Sequence, residues 1–151
     1  GTAPTFRRWT VDLADNTNSI SEELLDDMAC EFPRTDDRWG TKSYRHGYAV
    51  GTPSDKLGNF NHLIHYDTST GQRKTYDFGD THMVGEPVFA PRVGGTEEGD
   101  GYVIVLAYDQ PKDKSELMVF HAESIDDGPV ATACLPVRMP AGLHGSWVGA
   151  S

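Results

Sequence analysis

A histidine in the last stretch of the chain, His144 in PAGLHGSWVGAS (140–151), is the first residue whose chemistry calls for an explanation. Imidazole is the commonest metal ligand among side chains. His144 is therefore open to two readings: a loop histidine beside a last strand, or one member of a metal site whose other ligands lie elsewhere. Two glutamates stand at a regular remove from it. Glu31 in CEFPR and Glu86 in GEPVFAPR are 55 residues apart, and Glu86 precedes His144 by 58. Each also has a plain reading, Glu31 as a surface acid beside Arg34 and Glu86 as a strand-end charge before Pro87.

The remaining chemistry-bearing residues make weaker patterns. His62 and His65 spell H-x-x-H, but on a strand an offset of three puts the two rings on opposite faces, so one ion does not readily take both. His46, His82 and His121 have no Cys, Asp or Glu constellation at ligand spacing. No G-x-S-x-G elbow supports a serine hydrolase. GGTEEGDG (94–101) has no following lysine and reads as a solvated turn rather than a phosphate loop. Asp36-Asp37 and Asp126-Asp127 read as exposed loop charges rather than calcium ligands.

The elements that must position these residues are short strands. RRWTVDLA (7–14) alternates, with Trp9, Val11 and Leu13 on one face. Similar segments follow at YRHGYAV (44–50), NHLIHYD (61–67), KTYDFG (74–79), EPVFAP (86–91), YVIVLAYD (102–109), ELMVFHAE (116–123), ATACLP (131–136) and HGSWV (144–148). Clusters of Gly, Asp, Asn, Ser and Pro separate them. SEELLDDM (21–28) has helical propensity with Ser21 as a cap, yet its strand neighbours and Pro33 favour a strand. The chain reads as all-β.

A repeat underlies the pattern. The intervals from Glu31 to Glu86 and from Glu86 to His144 each contain four strand-like segments, the rhythm of a β-propeller blade of four antiparallel strands. Inner strands of a propeller surround its axis, so Glu31, Glu86 and His144 fall at equivalent places that converge there. Residues 1–28 are then the outer strands of one blade, 29–84 one blade, 85–142 the next, and 143–151 an inner closing strand. That is about two to two and a half blades, where closure takes at least about four. The chain is thus expected to be part of something larger, with the remainder of the propeller as its first partner.

Composition sets the outer bounds. The chain has 151 residues, with 13 basic and 23 acidic side chains and a net charge of −10, which argues against nucleic-acid or anionic-membrane partners. No apolar run is long enough to span a bilayer, and no basic segment followed by an apolar one signals secretion. Cys30 and Cys134 lie in apolar, strand-like surroundings and read as buried thiols of a cytoplasmic protein. The aromatic residues are expected to fill the space between blades.

The segments EFPRTDDRWGTKSYRHGYAVG, GEPVFAPRVGGTEEGDGYVIVLAYD and SELMVFHAESIDDGPVATACLPVRMPAGLHGSWV resemble, in order and spacing, the C-terminal part of the carotenoid cleavage oxygenases. That family includes lignostilbene and apocarotenoid dioxygenases and the vertebrate retinoid isomerase, and the resemblance covers nearly the whole chain. It implies a seven-bladed propeller with an iron, Fe(2+), on the axis, held by four histidines and no carboxylate. The last ligand of the family stands in P-x-G-[FL]-H-G, which maps to His144; Leu143 takes the place where phenylalanine is frequent. The family's other three histidines map upstream of residue 1. Its glutamates, which accept the far N–H of ligating imidazoles and so set their tautomer and basicity, map to Glu31 and Glu86.

The resemblance implies the C-terminal part of a non-haem iron(II) dioxygenase. Such an enzyme cleaves a C=C bond of a small, apolar, conjugated substrate (a carotenoid, apocarotenoid or stilbene) with dioxygen, leaving two carbonyl products. This segment alone is expected to be inactive. The alternative is a propeller-derived binding or scaffold module without metal chemistry, and three further histidines upstream would favour the enzyme. A free-standing small β domain is disfavoured by the incomplete blade count.

Overall fold

Ten strands follow one another along the chain in a computed structural model that describes residues 3–14, 19–53 and 59–149. The first sheet has the order β1 (Thr5–Val11), β2 (Ile20–Thr35), β3 (His46–Thr52), β4 (His62–Asp67) and β5 (Gln72–Asp77), all antiparallel. The second contains β6 (His82–Val84), β7 (Val88–Pro91), β8 (Gly101–Asp109), β9 (Lys114–His121) and β10 (Ala131–Cys134), again antiparallel. Single 3-10 turns at Asp37–Trp39 and Ile125–Asp127 are the only helical pieces among the described residues. None is long and apolar enough to cross a membrane.

SEELLDDM is strand, against its local helical propensity. It lies in the first half of the 16-residue β2, paired to β1 from Ala29 back to Ile20. Cross-strand ion pairs, Arg7–Glu22 at 3.0 Å and Arg8–Glu23 at 3.3 Å, accompany that register. The second half of β2, from Ala29 onward, pairs with β3 instead. The first sheet is therefore five strands wide rather than the expected four, and β2 runs unbroken through residues 28 and 29.

In the second sheet β6 and β7 lie end to end along one edge of β8, β6 on Ala107–Asp109 and β7 on Gly101–Ile104. Between them stand Gly85, Glu86 and Pro87. Pro87 has no N–H to give the ladder, so the strand is interrupted there. Counted as one interrupted strand, β6 and β7 make this sheet four strands wide. The sequence reading has no counterpart of β6.

The sheets meet through their alternating inner faces. Tyr48, Val50 and Leu63 of the first sheet join Phe89, Val103, Val105 and Phe120 of the second, and Ile125 of the turn after β9, in one buried cluster. Tyr48 stacks on Phe89, and Tyr76 meets Phe120 edge to face. The other face of β3 and β4 carries Ala49, Ile64 and Tyr66, packed against Cys30, Phe6 and Met28. With both faces covered, all seven residues of β3 are buried.

Several expectations are corrected here. HGSWV (144–148) is not a strand: a strand exists by pairing, and this segment has no neighbouring strand among the described residues. Cys134 is exposed on β10, an edge strand whose residues all face solvent; only Cys30 is a buried thiol. Trp9 and Trp147 are exposed rather than packed between sheets. Asp36 is no loose loop charge but is 2 % exposed, held by the Arg38 guanidinium at 2.6 Å and accepting from the Arg38 N–H. GGTEEGDG is more than a solvated turn. Arg38 donates to the carbonyls of Gly95 and Glu97, and the Glu98 carboxylate accepts the N–H groups of Arg45 and His46, so this loop fastens one sheet to the other.

Candidate functional site

Glu86 and His144, 58 residues apart in sequence, meet in the structure. The interruption between β6 and β7 leaves the Glu86 side chain free of the ladder and turns it towards the segment 142–145. One carboxylate oxygen, Oε1, lies 3.2 Å from His144 Nδ1. The other, Oε2, accepts the Gly145 N–H at 2.7 Å. The Glu86 side chain is only 6 % exposed, whereas that of His144 is 69 % exposed. Since a carboxylate can only accept, Nδ1 carries the proton and donates. In the neutral imidazole the Nε2 lone pair is then free, and Nε2 makes no hydrogen bond among the described residues. That is the tautomer a metal ligand needs.

A third residue completes the cluster. Arg34, at the end of β2, places Nη1 3.2 Å from Glu86 Oε2 and donates from the same nitrogen to the Gly145 carbonyl at 2.8 Å. It also reaches Asp37 at 3.4 Å. Burial raises the Glu86 carboxyl pKa, but the Gly145 N–H, His144 and Arg34 together outweigh it and hold the group below its ordinary range. The residue is thus an anion at neutral pH and an acceptor on both oxygens.

Glu31 lies on β2, three residues before Arg34, in a different state. It is exposed and makes no hydrogen bond or ion pair among the described residues. Just beyond it the strand bulges: Glu31 pairs with Val50 and Arg34 with Tyr48, so three steps on β2 match two on β3. Phe32 absorbs the extra residue at φ 54°, in the left-handed region a bulky side chain seldom adopts. The bulge gives Glu31 and Arg34 the same facing despite their odd offset. It also brings the Phe32 ring edge to face with His144, centroids 6.1 Å apart. Arg34 thus partners Glu86 and not Glu31. Sequence reasoning missed it, because the bulge that aims it leaves no mark in the alternation.

The walls beside His144 are apolar. A cleft of about 210 Å³ is bounded by Val88, Ile104, Leu106, Leu117 and Leu143 together with Glu86 and His144. A second, of about 290 Å³, shares Gly85, Leu106 and Gly142 with it and is lined by Phe32, Phe60, Met83 and Met139.

The other histidines lie elsewhere. His62 is half-buried, hydrogen-bonded to Asn61 and 3.8 Å from Asp77, on the opposite face of β4 from His65. His65 is buried against Tyr48 and shares a 2.9 Å hydrogen bond with His46. Burial, with His46 and Lys74 nearby, pushes the His65 pKa down to about 4, so this is a neutral core histidine. His46 does have a partner after all, supplied by the diagonal of the β3–β4 register. Among the described residues no group of three or more His, Cys, Asp or Glu side chains is placed to enclose an ion.

Comparison with known proteins identifies the family. The family model described as retinal pigment epithelial membrane protein matches residues 1–149. The chain is 36 % identical to lignostilbene-α,β-dioxygenase isozyme III of Sphingomonas paucimobilis over 98 % of its length, and spans 32 % of that protein. Among solved structures it superposes on the lignostilbene dioxygenase of Pseudomonas brassicacearum with a TM-score of 0.90, at 33 % identity, over 97 % of this chain and 32 % of that one. It superposes on a cobalt-substituted apocarotenoid oxygenase of Synechocystis with a TM-score of 0.87, at 29 % identity, over 95 % of this chain and 30 % of that one. The chain therefore spans about a third of the length of the relatives it matches.

Proposed function

This chain belongs to the retinal pigment epithelial membrane protein family of carotenoid oxygenases, and from that membership we propose that it is the C-terminal portion of a non-haem iron(II) dioxygenase. The whole protein, on this proposal, is a seven-bladed propeller that cleaves a conjugated C=C bond with dioxygen. The observation that carries the proposal is the Glu86–His144 pair: a buried anion holds Nδ1 protonated and leaves Nε2 free on an exposed ring.

The residues present fit one corner of a histidine-ligated iron site. Iron(II), when bound, supplies open coordination positions at which dioxygen and the olefin can meet. His144 contributes one imidazole nitrogen. Glu86 fixes the tautomer and orientation of that ring and raises its basicity. Glu31, exposed and unpaired here, is set to accept from a ligand histidine elsewhere in the protein. Phe32, Phe60, Leu143 and their apolar neighbours form a wall suited to a ring-bearing, uncharged substrate. The two lignostilbene dioxygenases among the relatives favour a stilbene-type olefin over a long carotenoid. The two free thiols, Cys30 and Cys134, support a cytoplasmic setting.

Anaerobic loading of the full-length protein with iron(II), followed by oxygen and a hydroxylated stilbene, tests the proposal. It predicts one iron per protein and two aldehyde products from each olefin. A folded full-length protein that binds no iron would support the scaffold reading instead, as would an upstream sequence without three further histidines.

A further inference from the structure

We infer that Arg34 is a positioning residue for the metal ligand, acting on His144 through the Glu86 carboxylate and the Gly145 carbonyl; this rests on the functional reading above. Among the described residues the segment that carries His144 pairs with no strand, so side chains must fix the ring. Two side chains from two sheets supply that restraint. Glu86 grips His144 and Gly145 from the β6–β7 interruption, while Arg34 reaches across from β2 and binds Glu86 Oε2 and the Gly145 oxygen with one nitrogen. Both backbone polar atoms of Gly145, its N–H and its carbonyl, are therefore held by charged partners directly after the ligand. Space there is close: a Cβ at Gly145 would lie 3.3 Å from Val88 Cγ2, so a larger residue would press the valine aside by a few tenths of an ångström.

The arrangement makes Arg34 more than a counter-charge. Its side chain is 19 % exposed, and the carboxylate it meets is nearly buried, so the pair is shielded from the screening that weakens surface ion pairs. Its contact with Oε2 leaves Oε1 to the His144 ring. Without the guanidinium, the carboxylate loses the partner that fixes its rotamer, and Gly145 loses the donor to its carbonyl. The ring then samples orientations in which Nε2 no longer points to the site. A one-residue error in the β2 bulge at Phe32 would have the same effect, because it would swing Arg34 to the other face.

The test is a double-mutant cycle in the full-length protein, read as the equilibrium dissociation constant for cobalt(II) by competition with a chromophoric chelator. Arg34→Met is expected to weaken binding roughly 10-fold, the lower end for changes to groups that orient ligands. Arg34→Lys, which keeps the charge and one donor, is expected to recover part of that loss. In a Glu86→Gln background Arg34→Met should add less than about 3-fold, since most of its effect passes through the carboxylate. A merely structural role would multiply in full. Thermal unfolding of each apo variant checks folding, and Arg34→Lys carries the test if Arg34→Met does not fold. Wild-type affinity in Arg34→Met, or in the absence of a folded Met variant no loss in Arg34→Lys, overturns the inference alone. So does full additivity with Glu86→Gln. A wild-type protein that binds no metal overturns the functional reading and this inference with it.

Discussion

Replacing Glu86 by Gln tests the Glu86–His144 pair with a change of one atom. The carboxylate accepts on both oxygens, Oε1 from His144 Nδ1 at 3.2 Å and Oε2 from the Gly145 N–H at 2.7 Å, with the Arg34 guanidinium paired to Oε2 at 3.2 Å. Glutamine has one acceptor oxygen and one NH2 donor. The Oε2 position faces two donors, one at short range, so the amide oxygen settles there and the NH2 faces the histidine. The imidazole then keeps this hydrogen bond only by moving its proton from Nδ1 to Nε2, which spends the Nδ1 lone pair on the amide and leaves none on Nε2 for a metal. Binding a metal requires giving the bond up, or turning the amide against Gly145 and Arg34. A hydrogen bond to a charged group contributes about 1.5–3 kcal/mol, so the metal dissociation constant of the full-length protein should rise roughly 10- to 150-fold. The assay is anaerobic iron(II) competition against a chelator, with thermal unfolding as the check on folding. A folded Glu86→Gln protein whose affinity lies within about twofold of wild type would refute the tautomer argument.

The 151-residue chain alone should neither hold iron tightly nor convert an olefin, because His144 is one ligand of the proposed four; stoichiometric tight binding by the isolated chain would overturn this. His62→Ala should leave iron content near wild type, since His62 lies on β4 with Asn61 and Asp77 as its partners; atomic-absorption measurement of the folded variant checks it. His65 predicts an acid-sensitive core. Its folded pKa is lowered to about 4 from 6.5, so its contribution is complete above pH 6.5 and is lost as pH falls towards 4. Between pH 7.5 and 4.5 the wild type should lose about 2–3 kcal/mol more stability than His65→Phe, measured by chemical denaturation. Equal losses in the two proteins would place the titrating group elsewhere.

What was legible in the sequence follows the reach of local physics. β8 alternates buried and half-buried residues without a break from Gly101 to Asp109, so its periodicity alone locates it. β2 was legible too, although SEELLDDM favours a helix in isolation, because its neighbours supply the pairing that overrides propensity. The interruption at Pro87 was written in the sequence as a residue that cannot donate, but the short β6 before it carries too few residues for a period to show. HGSWV has the composition of a strand, but among the described residues it pairs with none. The like intervals of 55 and 58 residues and the family resemblance put Glu31, Glu86 and His144 at converging positions, without pairing either glutamate with His144. Arg34 was not legible, because its aim depends on an αL residue at Phe32, and nothing in EFPR announces a bulge. The His46–His65 bond becomes readable only once the register Tyr48↔His65 is known.

The central claim is that His144 is a metal ligand, and the iron content of full-length His144→Ala tests it most directly. Wild type and variant would be loaded anaerobically, freed of excess metal, and assayed for iron per folded protein. The account predicts about one iron in the wild type and loss of most of it in the variant, because removing the imidazole leaves the site with only three of its four proposed ligands. A folded His144→Ala protein that keeps its iron would contradict it.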